Sequence, residues 1–143
     1  MRDFHAPGRS TAYGTGGMAA TSHPLATLTA VDVLRTGGNA VDAAIAAVAV
    51  QCVVEPAMTG IGGDAFVLYA PASGGVLAYN GSGRAPSAAS IERLRSLGVT
   101  ELGSGSPHSV TVPGCVMAWA TLHQRHGSKD FAALLRPAIG YAE

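Results

Sequence analysis

Arg84 stands in the run Gly81-Ser82-Gly83-Arg84-Ala85-Pro86. The glycines around it leave room for a ligand to approach the backbone, and a planar guanidinium can grip a carboxylate through two parallel hydrogen bonds. A surface arginine in a Gly-Ser turn is the plainer alternative. Gly60-Ile61-Gly62-Gly63-Asp64 has the glycine content of a phosphate-binding loop. No Lys-Ser or Lys-Thr follows it, however, and it runs into a strand rather than a helix, so a tight turn accounts for it better. Gly14-Thr15-Gly16-Gly17 is weaker still. His123 and His126 are three apart on one helical face, but no carboxylate or cysteine at suitable spacing completes a metal site. Histidines there suit the negative end of a helix dipole. Asp32 and Asp42 form no acid/base pair, because Asp42 falls in a first helical turn, where a negative charge has a structural reason to sit. Met117, Trp119 and Leu122 read as core or subunit-facing residues rather than a cofactor box.

The elements that must position these residues follow from periodicity and stop signals. His23-Pro24, then Leu25, Leu28, Val31 and Leu34, predict a helix over 24–36 with Pro24 in its first turn and Gly37 as its left-handed stop. Asn39 caps a second helix, Ala40 to Val54, so rich in alanine that another backbone can approach it closely, and Pro56 blocks its continuation. Ala65 to Ala70 and Val76 to Asn80 read as short buried strands. The connection Pro71-Ala72-Ser73-Gly74-Gly75 is short enough to make them an antiparallel hairpin. Ser90 caps a short helix over 91–97 that stops at Gly98. Residues 99–107 are loop-like, and Val110-Thr111-Val112 reads as a further strand ending at Pro113-Gly114. Val116, Trp119, Ala120 and Leu122 carry a helical stripe to Gly127, and Asp130 caps a last helix through Leu134 and Leu135. Its pattern continues past Pro137 to Glu143, which reads as an unfinished helix and a truncated chain. This order is not strand-helix alternation, so an α+β layer architecture is expected.

Composition narrows the function classes. Nine Lys and Arg balance nine Asp and Glu, so there is no electrostatic footprint for nucleic acid or an anionic membrane. The longest apolar run, 43–54, falls short of the roughly 18 or more residues that span a bilayer. At 143 residues the chain can form one domain with a core, yet 48% hydrophobic and 13% charged residues leave little sequence suited to an open surface, so further chain or a partner is expected to cover it. Cys52 and Cys115 read as buried thiols rather than a disulfide or ligand pair. No apolar h-region occurs in Met1 to Ser10, so no secretory signal is visible and a cytoplasmic location is expected.

A series of motifs then falls in one order: Gly17-Met18-Ala19-Ala20-Thr21; Leu34-Arg35-Thr36-Gly37-Gly38-Asn39-Ala40-Val41-Asp42-Ala43-Ala44; Glu55-Pro56 with Gly60-Ile61-Gly62-Gly63-Asp64-Ala65-Phe66; Asn80-Gly81-Ser82-Gly83-Arg84-Ala85-Pro86; and Val112-Pro113-Gly114 followed by Leu134-Leu135-Arg136-Pro137-Ala138-Ile139. From Gly14 to Glu143 the chain resembles the beginning of the large subunit of gamma-glutamyltransferases, with residues 1–13 as an N-terminal extension. The resemblance implies part of an N-terminal nucleophile hydrolase, a four-layer αββα sandwich made as one self-cleaving precursor. In that family cleavage frees a threonine whose own α-amino group serves as the base for attack on an amide carbonyl. The nucleophile would lie beyond residue 143, so no catalytic residue, metal or cofactor is expected within this chain. Its partners would be a small-molecule γ-glutamyl or related amide, the remainder of the large subunit and the small subunit.

The resemblance assigns Arg84 to the carboxylate of the acyl donor and sets the Gly60–Asp64 turn near the substrate cavity. Thr21-Ser22-His23 superficially resembles the family's threonine-rich cleavage motif, but an internal threonine has no free amine to act as base. Ala85-Pro86 follows Arg84 where family members with established glutathione activity usually carry an acidic residue, which leaves donor specificity open. An amidohydrolase or acylase using water is one rival reading. A truncated, non-catalytic binding domain is the other.

Overall fold

A computed structural model of the chain describes residues 11–103 and 105–143. The leader reading of Met1 to Ser10, and most of the expected extension over 1–13, lie outside the described residues.

Two helices form the centre. α1 (Pro24–Arg35) begins where His23 Nδ1 accepts the Leu25 N–H, with Pro24 in the first turn. α2 (Ala40–Val54) begins with a full capping box: Asn39 accepts from the backbone of Val41 and Asp42, while the Asp42 carboxylate takes the Asn39 N–H. Gly37, at φ +87°, turns the chain between them. Ala26, Ala30, Ala43, Ala46, Ala47 and Val50 are buried in the common core of the two helices. Such small side chains let the two backbones approach, but each contributes less burial energy than the roughly 1.5–3 kcal/mol of a buried Val or Leu. The larger groups come from elsewhere. Trp119 and Leu122 on α4 (numbered after α3 below; Cys115–His126) and Leu134 on α5 (Phe131–Ala142) complete the core against α2.

β1 (Phe66–Tyr69) and β2 (Leu77–Asn80) pair antiparallel, Phe66 with Asn80 through Tyr69 with Leu77. The expected hairpin forms, but the strands are not buried on both faces. Val67 and Tyr69 pack against the core, whereas Phe66 is 69% and Leu68 80% exposed. The strands alternate, one side on the helices and the other facing out. α3 (Ile91–Ser96) is capped by Ser90 and followed by Gly98 at φ +74°. Two expectations are corrected. Val110 is extended, but residues 110–112 join no strand ladder, and the Val112 N–H is spent on the Arg84 carbonyl. A short 3-10 turn, Pro107–Ser109, capped by Ser106, begins at the last residue of the loop-like stretch 99–107. α5 runs through Pro137 to Ala142. The architecture is α+β, and among the described residues no helix is long and apolar enough to cross a membrane.

Candidate functional site

The hairpin ladder continues past its assigned ends into the site. Ala65 N–H donates to Gly81 at 3.1 Å and Gly81 N–H returns to Ala65 at 2.7 Å, which sets Asp64 opposite Ser82 in the antiparallel register. Beyond that point the chain is held by tight backbone contacts. Gly83 has φ +78°, and a Cβ there would meet the Val112 carbonyl oxygen at 1.8 Å. A Cβ on Gly114 would lie 2.3 Å from the Gly81 carbonyl oxygen. Only glycine fits either position. Three segments, 60–64, 81–84 and 111–114, therefore interlock at one end of the hairpin.

Hydrogen bonds fix the same junction. Val112 N–H donates to the Arg84 carbonyl at 2.9 Å, and Gly114 and Cys115 donate to the Gly63 carbonyl at 3.2 and 3.0 Å. The Thr111 hydroxyl donates to the Ser82 carbonyl at 2.8 Å and reaches Asp64 Oδ1 at 3.5 Å. Asn80 Oδ1 accepts the Ser82 N–H. On this braced loop the Arg84 side chain is exposed. Among the described residues the one ion pair joins Arg35 to Asp32 at 2.8 Å, so no carboxylate there occupies the Arg84 guanidinium. An arginine whose backbone is fixed while its fork of donors is unpaired can take a carboxylate from outside.

A cavity of about 550 Å³ lies between α2 and the hairpin. Gly60, Gly63 and Asp64 line it together with Ile45, Val48 and Trp119, and Arg84 does not. Its wall is mostly apolar, so Asp64, which belongs to both the cavity wall and the Arg84 junction, is the polar link between them.

The other candidates resolve as structural. Thr21 donates to the His23 carbonyl at 2.7 Å and contacts the Thr27 hydroxyl. Ser22 donates to Glu55, which Gln51 also approaches, joining the start of α1 to the end of α2. His123 Nε2 donates to the Lys129 carbonyl at 2.6 Å, and His126 packs on Tyr69 with ring centroids 4.9 Å apart. Among the described residues no group of His, Cys, Asp and Glu is arranged to hold a metal. Cys52 and Cys115 are free thiols, and burial pushes both up. Cys115 is buried and Cys52 partly so.

Asp42 does more than its position in the first turn suggests. It is fully buried and accepts from Asn39 N–H, Ser128 N–H, the Ser128 hydroxyl and Lys129 N–H, tying the α4–α5 connection to the start of α2. Thr111 was equally unmarked in the sequence, since its role depends on a fold that sets it against Ser82.

The helix pair, the hairpin and the glycine-locked junction form an α+β scaffold of the N-terminal nucleophile hydrolase class. Two solved structures superpose on nearly all of it. A cephalosporin acylase from Bacillus halodurans is 43% identical with a TM-score of 0.88, over 98% of this chain and 26% of that one. The Helicobacter pylori gamma-glutamyltranspeptidase is 34% identical with a TM-score of 0.85, over 94% of this chain and 39% of that one. The sequence profile described as gamma-glutamyltranspeptidase matches residues 26–143, and the chain belongs to that family. An oxamate amidohydrolase proenzyme from Klebsiella pneumoniae subsp. pneumoniae is 39% identical over 94% of this chain. The chain spans about a quarter of that relative's length, 26%.

Proposed function

We propose that residues 14–143 are the N-terminal portion of the large subunit of a self-processing enzyme that transfers or hydrolyses γ-glutamyl or related acyl groups. Residues 1–13 form an extension ahead of it. The reaction runs through a threonine acyl-enzyme, and that threonine lies outside this segment. The part played here is recognition: Arg84 grips the carboxylate of the acyl donor and the braced loops hold it at the edge of the pocket. The observation that carries this reading is an exposed, unpaired guanidinium on a loop that Gly83, Val112 and Thr111 fix in place. The proenzyme relative supports the companion proposal of a large and a small subunit cut from one precursor.

A second reading keeps the scaffold and changes the chemistry to hydrolysis of a different amide, with water as acceptor. It is favoured by the names of two similar proteins, an oxamate amidohydrolase proenzyme and a cephalosporin acylase, and by the uncharged Ala85-Pro86 after Arg84. Release of aniline from a γ-glutamyl anilide, compared with hydrolysis of a glutaryl or oxamic amide by the full-length gene product, separates the two. Faster γ-glutamyl release, further raised by a dipeptide acceptor, supports the first. Turnover of the other amides alone, indifferent to acceptor, supports the second.

A further inference from the structure

We infer that Cys52 and Cys115 are a modification site, a thiol pair that a small-molecule disulfide converts into a reversible staple between the end of α2 and the start of α4. The pair needs nothing from Arg84 and stands whether or not that residue grips a carboxylate.

The direction of the two helices brings the thiols to one level. Asn39 Nδ2 donates to the His126 carbonyl at 2.6 Å, and Ser128 is bonded to Asp42, so α4 ends where α2 begins. The helices face one cavity, α2 through Ile45 and Val48 and α4 through Cys115, Trp119 and Leu122, and they run along it in opposite directions. Eleven residues separate Cys115 from His126, and eleven residues on from Asn39 is Val50. That level is about 3 Å of helical rise short of Cys52. Cys52 also follows Val48 by one turn and Ile45 by two, which puts it on the stripe of α2 that faces the cavity. Cys115 is buried in the core, Cys52 packs against that core while partly exposed, and both are free thiols. Burial is the main cause that pushes the Cys115 thiol up, and the charge of Cys52 adds to it through space.

Unequal exposure sets the order of reaction. Cys52, as its thiolate, attacks a small disulfide R–S–S–R; a mixed disulfide forms on Cys52 and one R–S⁻ leaves. The Cys115 thiolate then attacks the Cys52 sulfur, the Cys52–Cys115 bond forms and the second R–S⁻ leaves. Two protein thiols are oxidised, one small disulfide is reduced to two thiols, and the protons lost by the cysteines end on those thiols. Burial also pushes the Cys52 thiol up, so the exchange is slow at neutral pH. Because the Gly114 and Cys115 N–H groups hold the Gly63 carbonyl, the staple also ties the 60–64 turn to α2.

The test incubates the native full-length gene product with hydroxyethyl disulfide, which carries no γ-glutamyl group, alkylates the remaining free thiols and maps the peptides by mass spectrometry. The wild type should give a peptide cross-linked through Cys52 and Cys115 that disappears with dithiothreitol, and the oxidised protein should melt at a higher temperature than the reduced one. Cys115→Ala should stop at the mixed disulfide on Cys52. Cys52→Ala should leave Cys115 unmodified. That split separates a pair with an entry thiol and a resolving thiol from two cysteines that react independently. A wild type in which both thiols stay reduced, or which stops at the mixed disulfide on Cys52, overturns the inference. A cross-link that lowers the melting temperature overturns it too, because the two sulfurs would then not be neighbours in the native fold. If either variant fails to fold, the wild-type peptide map and melt decide alone. The readout is a peptide mass rather than turnover, so failure of the Arg84 reading leaves this result unchanged.

Discussion

Val112 donates its N–H to the carbonyl of Arg84 at 2.9 Å, so the backbone of the candidate recognition residue is held by a segment from beyond α3. The contact is possible because Gly83 turns at φ +78° and has no side chain to strike the Val112 carbonyl. Gly83→Ala would strain the backbone and force the two segments apart, at about 1–3 kcal/mol. The expected result is a lower melting temperature together with weakened carboxylate binding. A fully stable Gly83→Ala variant would show that the junction is looser than described.

Arg84→Lys and Arg84→Ala should differ. Lysine keeps the charge and loses the planar fork, so it should retain part of the donor affinity. Alanine removes charge-assisted hydrogen bonds, each about 1.5–3 kcal/mol, and should raise KM for a carboxylate-bearing donor roughly tenfold to a hundredfold. Both variants should melt with the wild type, because the Arg84 side chain is exposed and forms no ion pair among the described residues. Steady-state kinetics beside thermal melts checks both halves of this expectation.

Asp42 and Ser128 give a prediction in pH. Burial pushes the Asp42 carboxyl up, yet the Ser128 hydroxyl and the N–H groups of Asn39, Ser128 and Lys129 outweigh it and hold the group below its ordinary value of 3.8. A depressed folded-state pKa means that its stabilisation is complete above that ordinary value. It is lost as pH falls through the lower folded value. Asp42→Asn should therefore flatten the acid limb of the stability profile. Asp42→Ala should cost about 2–3 kcal/mol at neutral pH by leaving those donors unpaired. Urea melts between acid and neutral pH measure both effects.

Phe66 and Leu68 present an apolar surface on the outer side of the hairpin. The 143-residue chain alone should bind a hydrophobic dye, and replacing both residues with serine should reduce that signal while preserving the helical circular dichroism. Unchanged dye fluorescence would place the exposed surface elsewhere.

Much of this was legible in the sequence where signals are local. His23-Pro24, Asn39, Ser90 and Asp130 each mark a helix start, and the Gly-containing connection after Pro71 marks the hairpin; all of these appear. The misreadings come from partners distant in sequence. Val110 to Val112 has the composition of a strand, but the Val112 N–H goes to the Arg84 loop and no ladder forms. The strands look uniformly apolar because one side packs on the helices, while the other, with Phe66 and Leu68, stays exposed. Asp42 gave away its place in the first turn of α2 but not its hold on Ser128, since nothing local in the sequence links residues so far apart. Arg84 stood out through its glycines. Thr111, which braces its loop, did not.

The central claim is that Arg84 holds the donor's carboxylate, and a crystal structure of the full-length gene product with a bound non-hydrolysable donor analogue tests it most directly. The account predicts two guanidinium nitrogens of Arg84, each about 2.7–2.9 Å from a carboxylate oxygen of the analogue. An analogue whose carboxylate is held by other residues, with Arg84 turned to solvent, would contradict it.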